Sequence, residues 1–376
     1  MINILETIKK NPLVLAPMAG ITDSAFRSFM REMGAGVVVT ELISATGTQY
    51  QSERTLKLMD FTPDQQPVGI QLFGEDPIIM AQAAQVAESR GCDFVDLNFG
   101  CPVPKVVKKG GGSAILRDLK ALEIMVRTVK SAITIPLTIK IRTGWDQSSR
   151  NATEVTHIAF NEGVTWVAIH GRTRAQGYSG EADWDFIREV KSRSPLPILG
   201  NGDLNTPQII ETRLKESGCD AVMIGRGCLK NPFIFQDTLK QLGLQSCSQN
   251  SAQVKLDSNT FPKSESSSQN PSQIHNELTT HTNTLSQSNR DLWSAYGRLH
   301  THLATHCDDT ILTIQLKKFA AWYSTGYSGA SQFRKSIFKT KEKNEVLDLT
   351  EEFFKALTFQ RPEDTTQEPF LMGGHG

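Results

Sequence analysis

The first two-thirds of the chain alternates short apolar runs with longer amphipathic segments. The short runs are rich in β-branched residues and end in glycine, asparagine, histidine or charged residues. Runs that are apolar almost throughout are typical of strands buried on both faces of a parallel sheet. The pattern predicts eight such strands, at 13–18, 37–42, 68–74, 94–100, 137–144, 166–173, 197–203 and 221–227.

The segments between these runs have apolar residues at helical spacing, most clearly at 24–34, 77–91 and 119–132. A fourth segment, 206–218, begins with a threonine cap and a proline and ends at a glycine, which are typical helix-boundary residues. Eight β–α units match a (β/α)8 barrel in number and size. We therefore predict an α/β fold with a TIM barrel over residues 1–244. A doubly wound sheet, which usually has fewer strands, is the weaker alternative.

Composition changes sharply after residue 244. Between 245 and 290, 28 of 46 residues are Ser, Thr, Asn or Gln, and large apolar residues are sparse. Such a segment cannot offset the entropy cost of ordering, so we expect a disordered, solvated insert. Helical periodicity returns over 291–360 and predicts a small all-helical C-terminal domain of three or four helices. The last residues, 361–376, are expected to form a flexible tail.

The charge balance limits the kinds of partner. The 40 basic and 40 acidic side chains give zero net charge, which argues against binding nucleic acid or anionic lipid through bulk electrostatics alone. Two stretches are locally basic: 101–150 has ten basic and three acidic residues, and 317–343 has seven and one. In the second stretch aromatic residues lie between the basic ones. This suits an RNA surface, or equally a solvated helix face above an aromatic core.

The remaining composition indicates a soluble protein of a reducing compartment. The six cysteines include no CxxC pair, which argues against a disulfide framework and against a zinc ribbon. No run approaches the roughly 18 apolar residues of a membrane-spanning helix, and the first residues do not resemble a signal peptide. We expect a cytoplasmic monomer with no bound metal and no membrane contact.

Chemically informative residues collect where the predicted strands end. In a (β/α)8 barrel the active site lies at the carboxyl ends of the strands. Polar or glycine residues at nearly every strand end predict one large polar ligand over the barrel mouth. In chain order they are Pro17, Met18, Ala19 and Gly20; Glu41; Gln71; Asn98, Gly100 and Cys101; Lys140 and Arg142; His170 and Arg172; Asn201, Gly202 and Asp203; Gly225, Arg226 and Gly227.

The loops after the last two strands predict an anion site. Their sequences, NGD at 201–203 and GRG at 225–227, supply glycines that let backbone N–H groups approach an anion, and Arg226 adds positive charge. Either loop alone could hold its glycines only for a tight turn, whereas the two together favour phosphate. Lys140 and His170 come from neighbouring strands. A lysine in a buried strand is costly without an anionic or electron-rich ligand beside it.

Cys101 is the cysteine best placed for chemistry. It lies between Gly100 and Pro102 on a predicted loop, where core packing is not the obvious explanation. A thiol with a pKa near ~8.5 is mostly protonated at neutral pH, so it can donate a proton as well as act as a nucleophile. The residues alone do not choose between these two roles.

These motifs resemble those of the tRNA-dihydrouridine synthases. The matching segments are LAPMAGITDSAFR (15–27), GIQLFG (69–74), DLNFGCPVPKVVKKGGGSAIL (96–116), IKIRTGW (139–145), IHGRTRAQGYSG (169–180), NGD (201–203) and MIGRG (223–227). The resemblance covers about 12–243 and, more weakly, 316–335. The chain is most similar to the bacterial B-type enzymes, while GYSG (177–180) also resembles the C-type. It departs from the family in the glycine-rich KKGGGSAIL after Cys101 and in the insert at 245–290.

The resemblance implies an oxidoreductase that binds FMN, uses NADPH as the reductant and reduces a uridine in the D-loop of tRNA to 5,6-dihydrouridine. Hydride would pass from reduced FMN to uracil C6, and Cys101 would donate the proton to C5. By position, uracil binding is assigned to Asn98 and Arg142, with Tyr178 as a weaker candidate, and tRNA binding to the helical domain. FMN binding is assigned to Pro17, Met18, Ala19, Gln71, Lys140, His170, Asn201, Gly202, Asp203, Gly225 and Arg226.

Two other functions stay open. An FMN barrel reductase that acts on a small-molecule pyrimidine or enone would share the barrel residues, but it has no need for a basic, aromatic helical domain. A non-catalytic tRNA-binding scaffold would not need the combination of Cys101, Lys140, His170 and Arg226.

Overall fold

The computed structural model describes residues 2–244 and 291–357. The predicted insert at 245–290 and the predicted tail at 361–376 lie outside the described residues. Within the described ranges, no helix is both long enough and apolar enough to cross a membrane.

The N-terminal region is a closed parallel β-barrel. Each strand pairs in parallel with its neighbours. The ring closes because the strand Val37–Val39 pairs with Leu13–Leu15 on one side and with Val68–Phe73 on the other. This confirms the predicted barrel and its eight strand positions. The strands are β1 (Leu13–Leu15), β2 (Val37–Val39), β3 (Ile43–Ser44), β4 (Val68–Phe73), β5 (Phe94–Phe99), β6 (Leu137–Arg142), β7 (Val167–His170), β8 (Ile198–Asn201) and β9 (Ala221–Ile224).

The second barrel position differs from the sequence prediction, because it is occupied by two short strands. Both β2 and β3 pair with β4, through Val38 opposite Val68 and Ile43 opposite Leu72. The ladder is interrupted between them at Thr40, whose side-chain oxygen accepts a hydrogen bond from the backbone N–H of Gln71 at 3.0 Å. The predicted run at 37–42 therefore ends early as a strand, and pairing resumes at 43.

The helices surround the barrel and then continue into a C-terminal bundle. All four helical segments singled out from the sequence of the barrel region are present. In 206–218 the predicted cap is confirmed: the Thr206 hydroxyl accepts from the N–H of Ile209 at 3.2 Å, and Gly218 has a φ of 65°. The helices are α1 (Ile4–Lys10), α2 (Ser24–Glu32), α3 (Ala45–Gln49), α4 (Glu53–Lys57), α5 (Pro77–Ser89), α6 (Pro104–Val107), α7 (Leu119–Ala132), α8 (Ala152–Asn161), α9 (Trp184–Arg193), α10 (Pro207–Ser217), α11 (Gly227–Lys230), α12 (Ile234–Gln241), α13 (Leu292–Ala304), α14 (Asp309–Tyr323), α15 (Ala330–Lys339) and α16 (Lys343–Ala356).

Apolar side chains fill the barrel at the amino-terminal ends of the strands. Phe94 and Trp166 pack edge to face there, with ring centroids 5.2 Å apart. Gly69 of β4 makes room for Phe94, because a Cβ at Gly69 would lie 2.2 Å from the ring. Helix α1, which the sequence did not predict, buries Ile4 and Ile8 in the same cluster. With this end filled, the space inside the barrel lies at the opposite, carboxyl end.

The C-terminal helices share a continuous apolar core with the outside of the barrel. Phe319 of α14 stacks on Phe26 of α2 with ring centroids 5.1 Å apart. Phe319 and Tyr323 are fully buried, and Trp322 and Phe333 are each 7% exposed. Most aromatic residues of the basic stretch 317–343 are therefore core, as in the second of the two interpretations, and are not available for stacking on bases.

Candidate active site

A cavity of about 460 Å³, lined by both polar and apolar residues, opens at the carboxyl ends of the barrel strands. This is within the usual range of ligand sites, roughly 300–1,000 Å³. The structure brings together all the residues to which the sequence gave a catalytic or binding role, although those roles stay predictions. These residues, which line the cavity, are Pro17, Met18, Ala19, Gln71, Asn98, Cys101, Lys140, Arg142, His170, Tyr178, Asn201, Gly202, Asp203, Gly225 and Arg226. Three of the strand-end residues, Gly20, Glu41 and Arg172, do not line the cavity.

Strand register explains why these residues meet. Asn98 of β5 lies opposite Lys140 of β6, and the next inward-facing position of β6, Arg142, lies opposite His170 of β7, which lies opposite Asn201 of β8. Alternate side chains of each strand face the inside of the barrel, and parallel strands end at the same edge. The inward-facing side chains at the strand ends therefore form a continuous ring around the mouth.

Two amides on β4 and β5 are held in a hydrogen-bonded series that includes a carboxylate outside the cavity. Gln71 Nε2 donates to Asp96 Oδ2 at 2.7 Å, and Asn98 Nδ2 donates to Gln71 Oε1 at 2.8 Å. Asn98 Oδ1 in turn accepts from the backbone N–H of Cys101 at 2.8 Å and of Gly100 at 3.1 Å. Sequence reasoning missed Asp96, which looks like an isolated polar residue in the DLNFG run.

Cys101 is a protonated thiol on a tightly held loop. Burial raises the pKa of the Cys101 thiol above its ordinary value, so the protonated form dominates at neutral pH. Its carbonyl accepts from the backbone N–H of Ser113 at 3.1 Å and from the Ser113 hydroxyl at 2.8 Å. Of the two roles that the residues left open, this environment favours proton donation over attack by a thiolate.

Lys140 places a cation inside the cavity. Its Nζ donates to Asn201 Oδ1 at 3.2 Å, and Asn201 Nδ2 donates to the carbonyl of Met223 at 2.6 Å, which fixes the amide. Burial, followed by the charge of Arg142, lowers the pKa of Lys140 to about 8. Among the described residues, no carboxylate lies within ion-pair distance of Lys140. A half-buried cation with no carboxylate of the described residues at ion-pair distance fits an anionic or electron-rich ligand.

His170 is neutral. Burial, followed by the positive charges of Lys140, Arg142, Arg172 and Arg226, holds its pKa well below the ordinary value. The imidazole therefore offers one donor and one acceptor to its surroundings at neutral pH.

Gly202 cannot be replaced without a clash. Its φ is 122°, and a Cβ there would lie 2.6 Å from Cβ of Ala182 and 3.0 Å from Cδ2 of His170. The glycine thus keeps the loop after β8 close to the imidazole, and its backbone remains accessible to a ligand in the cavity.

Sequence reasoning noted Arg172 at the end of β7 without a role, and the structure pairs it with a residue that lines the cavity. Its guanidinium donates two hydrogen bonds to the Asp203 carboxylate, from Nη1 to Oδ1 at 2.9 Å and from Nη2 to Oδ2 at 2.8 Å. Asp203 also accepts from the backbone N–H of Ala182 at 2.7 Å. Arg226 lies 3.8 Å from the same carboxylate. Because the Asp203 carboxylate is engaged in this way, it is the backbone of the loop that is left to contact a ligand.

Arg142, at the end of β6, joins the loops that follow β5 and β7 beneath the mouth. Its Nε donates to the carbonyl of Gly100 at 2.9 Å, and its Nη1 donates to the carbonyls of Thr173 at 2.8 Å and Gly177 at 2.7 Å. Nη2 is left as the nitrogen that can donate to a ligand. The half-exposed ring of Tyr178 lies against two cations, 5.7 Å from Arg142 and 5.1 Å from Arg226.

The helical region reaches the edge of this site. Lys318 Nζ of α14 donates to the carbonyl of Gly20 at 2.9 Å, and the N–H of Gly20 donates to the Glu41 carboxylate. Gly20 follows directly on Pro17, Met18 and Ala19, which line the cavity. A residue of the C-terminal helices therefore helps to fix a loop of the site.

A closed parallel barrel with a cavity at the carboxyl ends of its strands, lined by Lys140, Arg142 and Arg226, defines the TIM-barrel class. A family model described as Dihydrouridine synthase (Dus) matches residues 14–258. The chain therefore belongs to the dihydrouridine synthase family, which confirms the family suggested by its motifs.

Known relatives agree with this assignment. The chain is 39% identical over 227 residues to tRNA-dihydrouridine synthase B of Pseudomonas syringae pv. tomato, which covers 60% of this chain and 67% of that protein. It is 42% identical over 225 residues to a probable tRNA-dihydrouridine synthase of Rickettsia prowazekii, which covers 59% of this chain and 68% of that protein.

Proposed function

We propose that this protein is a cytoplasmic tRNA-dihydrouridine synthase that reduces the C5–C6 double bond of a uridine in the D-loop of tRNA. The observation that carries the proposal is a protonated thiol, Cys101, facing the same cavity as the half-buried cation Lys140 and the two glycine loops. The family and the names of the relatives support the same reaction.

The cavity fits FMN. Its glycine loops and Arg226 suit a phosphate, and the ammonium of Lys140 suits an electron-rich ring system. We infer that the loop at 17–19, together with Gln71, Lys140 and His170, holds the ring system, and that Asn201, Gly202, Asp203, Gly225 and Arg226 hold the phosphate end. When bound and reduced by NADPH, FMN would supply the hydride that is added to uracil C6.

The protein itself would supply the proton. As negative charge develops toward C5 and O4 of uracil, the Cys101 thiol donates its proton to C5 and is left as a thiolate. Lys140 and Arg142 are the cations whose charge acts on this sulfur. A proton from water then restores the thiol. General acid catalysis of this kind contributes about 10²–10⁴-fold to a rate.

Uracil recognition would fall to donors at the mouth of the cavity. Asn98 and Arg142 each retain an N–H for a carbonyl oxygen of the ring, and Tyr178 offers an exposed aromatic face beside them. A base in a folded tRNA must leave its stack to reach such a site, and an enclosed pocket suits an extruded base.

The test is mapping of dihydrouridine by mass spectrometry in unmodified tRNA incubated with the purified protein, FMN and NADPH. Cys101→Ala is expected to keep the flavin content of the wild type and to lose about 10²–10⁴-fold in the rate of uridine reduction. Cys307→Ala, which removes a partly buried thiol outside the cavity, is the matched control and should behave as the wild type. No new dihydrouridine in any tRNA, or reduction of a free pyrimidine or enone alone, would contradict the proposal.

A further inference from the structure

Asp96 is a buried carboxylate without direct access to the cavity. It lies in the middle of β5, between Gln71 of β4 and Thr138 of β6 in the register of the strands, and it is 1% exposed. Its Oδ1 accepts from the Thr138 hydroxyl at 2.6 Å and its Oδ2 accepts from Gln71 Nε2 at 2.7 Å. A carboxylate at such a position is costly, and apolar packing alone would not require it.

The hydrogen bonds of Asp96 give a direction to the whole series of amides. Burial raises the pKa of Asp96, while the hydrogen bonds from Thr138 and Gln71 and the charge of Lys140 favour its ionised form. An ionised carboxylate only accepts, so the nitrogen of Gln71 faces Asp96 and its oxygen faces Asn98. Asn98 must then turn its nitrogen to Gln71 and its oxygen to the N–H groups of Gly100 and Cys101. Turning over either amide would set donor against donor or acceptor against acceptor within a buried site.

This direction decides what Asn98 can offer to a ligand. Its oxygen already accepts two hydrogen bonds, and one of its two N–H groups is bonded to Gln71. What remains is a single N–H, so Asn98 can act on a ligand in the cavity as a donor only. Its partner must carry an acceptor, such as a ring carbonyl oxygen.

We propose that Asp96 is a positioning residue that orients Gln71 and Asn98, makes Asn98 a donor to a carbonyl oxygen of the uracil ring, and thereby fixes the backbone of Cys101. The identity of the ring rests on the proposed function, whereas the orientation of the amides and of the Cys101 loop rests on the protein alone.

Asp96→Asn is the informative substitution. Asparagine keeps the shape of the aspartate side chain, but its amide can donate as well as accept, so it no longer forces Gln71 and Asn98 into one orientation. Asp93→Asn is its matched control. Asp93 is also buried, lies three residues earlier, and accepts from the N–H of Val68 at 2.8 Å away from the cavity. Thr138→Val, which removes the other hydrogen bond to Asp96, is a second and milder variant if Asp96→Asn does not fold.

Two measurements separate the possibilities. The first is the rate at which iodoacetamide alkylates Cys101 in the purified protein, followed by mass spectrometry without tRNA or NADPH. Asp96→Asn should react at least roughly threefold faster than the wild type because its loop opens more often, Thr138→Val should change in the same direction, and Asp93→Asn should not change. The second is tRNA reduction, where Asp96→Asn should lose roughly 10- to 100-fold in kcat with little change in KM.

Equal alkylation and equal kcat in Asp96→Asn and Asp93→Asn would overturn the inference. A wild-type protein that forms no dihydrouridine would instead overturn the proposed function. The alkylation rates would still decide whether Asp96 holds the Cys101 loop.

Discussion

At the scale of the residue, the lowered pKa of Lys140 should make FMN binding depend on pH. Its pKa is lowered to about 8 by burial, so the ammonium is lost just above neutral pH when the cavity holds no anion. The phosphate of FMN is fully ionised above about pH 7, so its charge does not change there. Any change in FMN affinity above that pH should therefore come from the loss of the proton of Lys140. The affinity for FMN should therefore be highest below pH 8 and decrease above it.

Fluorescence titration of the protein with FMN measures this effect. Between about pH 7 and pH 9 the Kd of the wild type should rise roughly tenfold, as expected for loss of one proton with a pKa near 8. Lys140→Met should bind FMN more weakly at neutral pH and show no such dependence. A wild-type Kd that stays constant over this range would contradict the role of the ammonium.

Arg172 neutralises the Asp203 carboxylate, which lies in the loop after β8. Without Arg172, the Asp203 carboxylate would lose both bidentate bonds and keep only the more distant Arg226, at 3.8 Å, as a cationic partner beside Gly202. We expect Arg172→Met to weaken FMN binding at least about tenfold, because a charged hydrogen-bonded pair is broken with one partner left behind. The double variant Arg172→Met/Asp203→Asn should recover part of the affinity.

Arg193→Met is the control for loss of an arginine, because Arg193 lies on the outer face of α9 and pairs with Glu189. An Arg172→Met variant with wild-type FMN affinity would show that the pair is only structural.

The sequence identified the residues that end the strands, because alternation and strand ends are local signals. It could not identify Asp96 or Arg172 as functional, because their partners are set by register and loop geometry. Asp96 meets Gln71 and Thr138, which are 25 and 42 positions away. Arg172 meets Asp203 across 31 positions.

At the scale of the element, the loop between Cys101 and α7 depends on a glycine that only the structure explains. The sequence shows three consecutive glycines at 110–112. Gly110 and Gly112 both have positive φ, 95° and 58°. A Cβ at Gly112 would lie 2.8 Å from the carbonyl oxygen of Cys101, whereas the nearest atom to a Cβ at Gly110 is Cβ of Glu75 at 3.7 Å.

This difference allows a matched pair of substitutions. Gly110→Ala and Gly112→Ala both place an alanine at positive φ, which costs of order 1–3 kcal/mol, but only the second also displaces Cys101. We expect both to lower the Tm, and we expect only Gly112→Ala to lose roughly 100-fold in uridine reduction and to change the alkylation rate of Cys101. Equal activity of the two variants would mean that the loop adjusts without moving the thiol.

At the scale of the whole molecule, the C-terminal helices are part of the barrel's structure as well as a separate bundle. Besides the stacking of Phe319 on Phe26, Arg298 and His302 of α13 both bond to Glu32 of α2, at 2.6 Å and 2.9 Å. The sequence predicted three or four helices from their periodicity, and the structure has four within 291–357. The sequence could not predict the docking, because these contacts join residues about 270 positions apart and have no local signal.

Lys318 makes a docking contact at the edge of the site, and its neighbour Lys317 provides a closely matched control. Lys318 Nζ bonds the carbonyl of Gly20 across 298 positions, whereas Lys317 Nζ bonds the carbonyl of Thr340 within the helical region. Both substitutions to methionine remove one positive charge from the same helix. Any effect on tRNA attraction through long-range charge should therefore be similar in the two variants.

The two variants should differ in FMN binding. Lys318→Met frees the Gly20 carbonyl, so the loop that presents Pro17, Met18 and Ala19 loses an anchor, and we expect the Kd for FMN to rise roughly three- to tenfold. Lys317→Met should leave the Kd unchanged, and Lys318→Arg should restore most of the affinity, since a guanidinium can donate to the same carbonyl. Equal FMN affinity in Lys318→Met and Lys317→Met would mean that the helical region acts on tRNA alone. A difference between them would mean that the bundle also shapes the cofactor half of the cavity, which ties the two parts of the chain into one site.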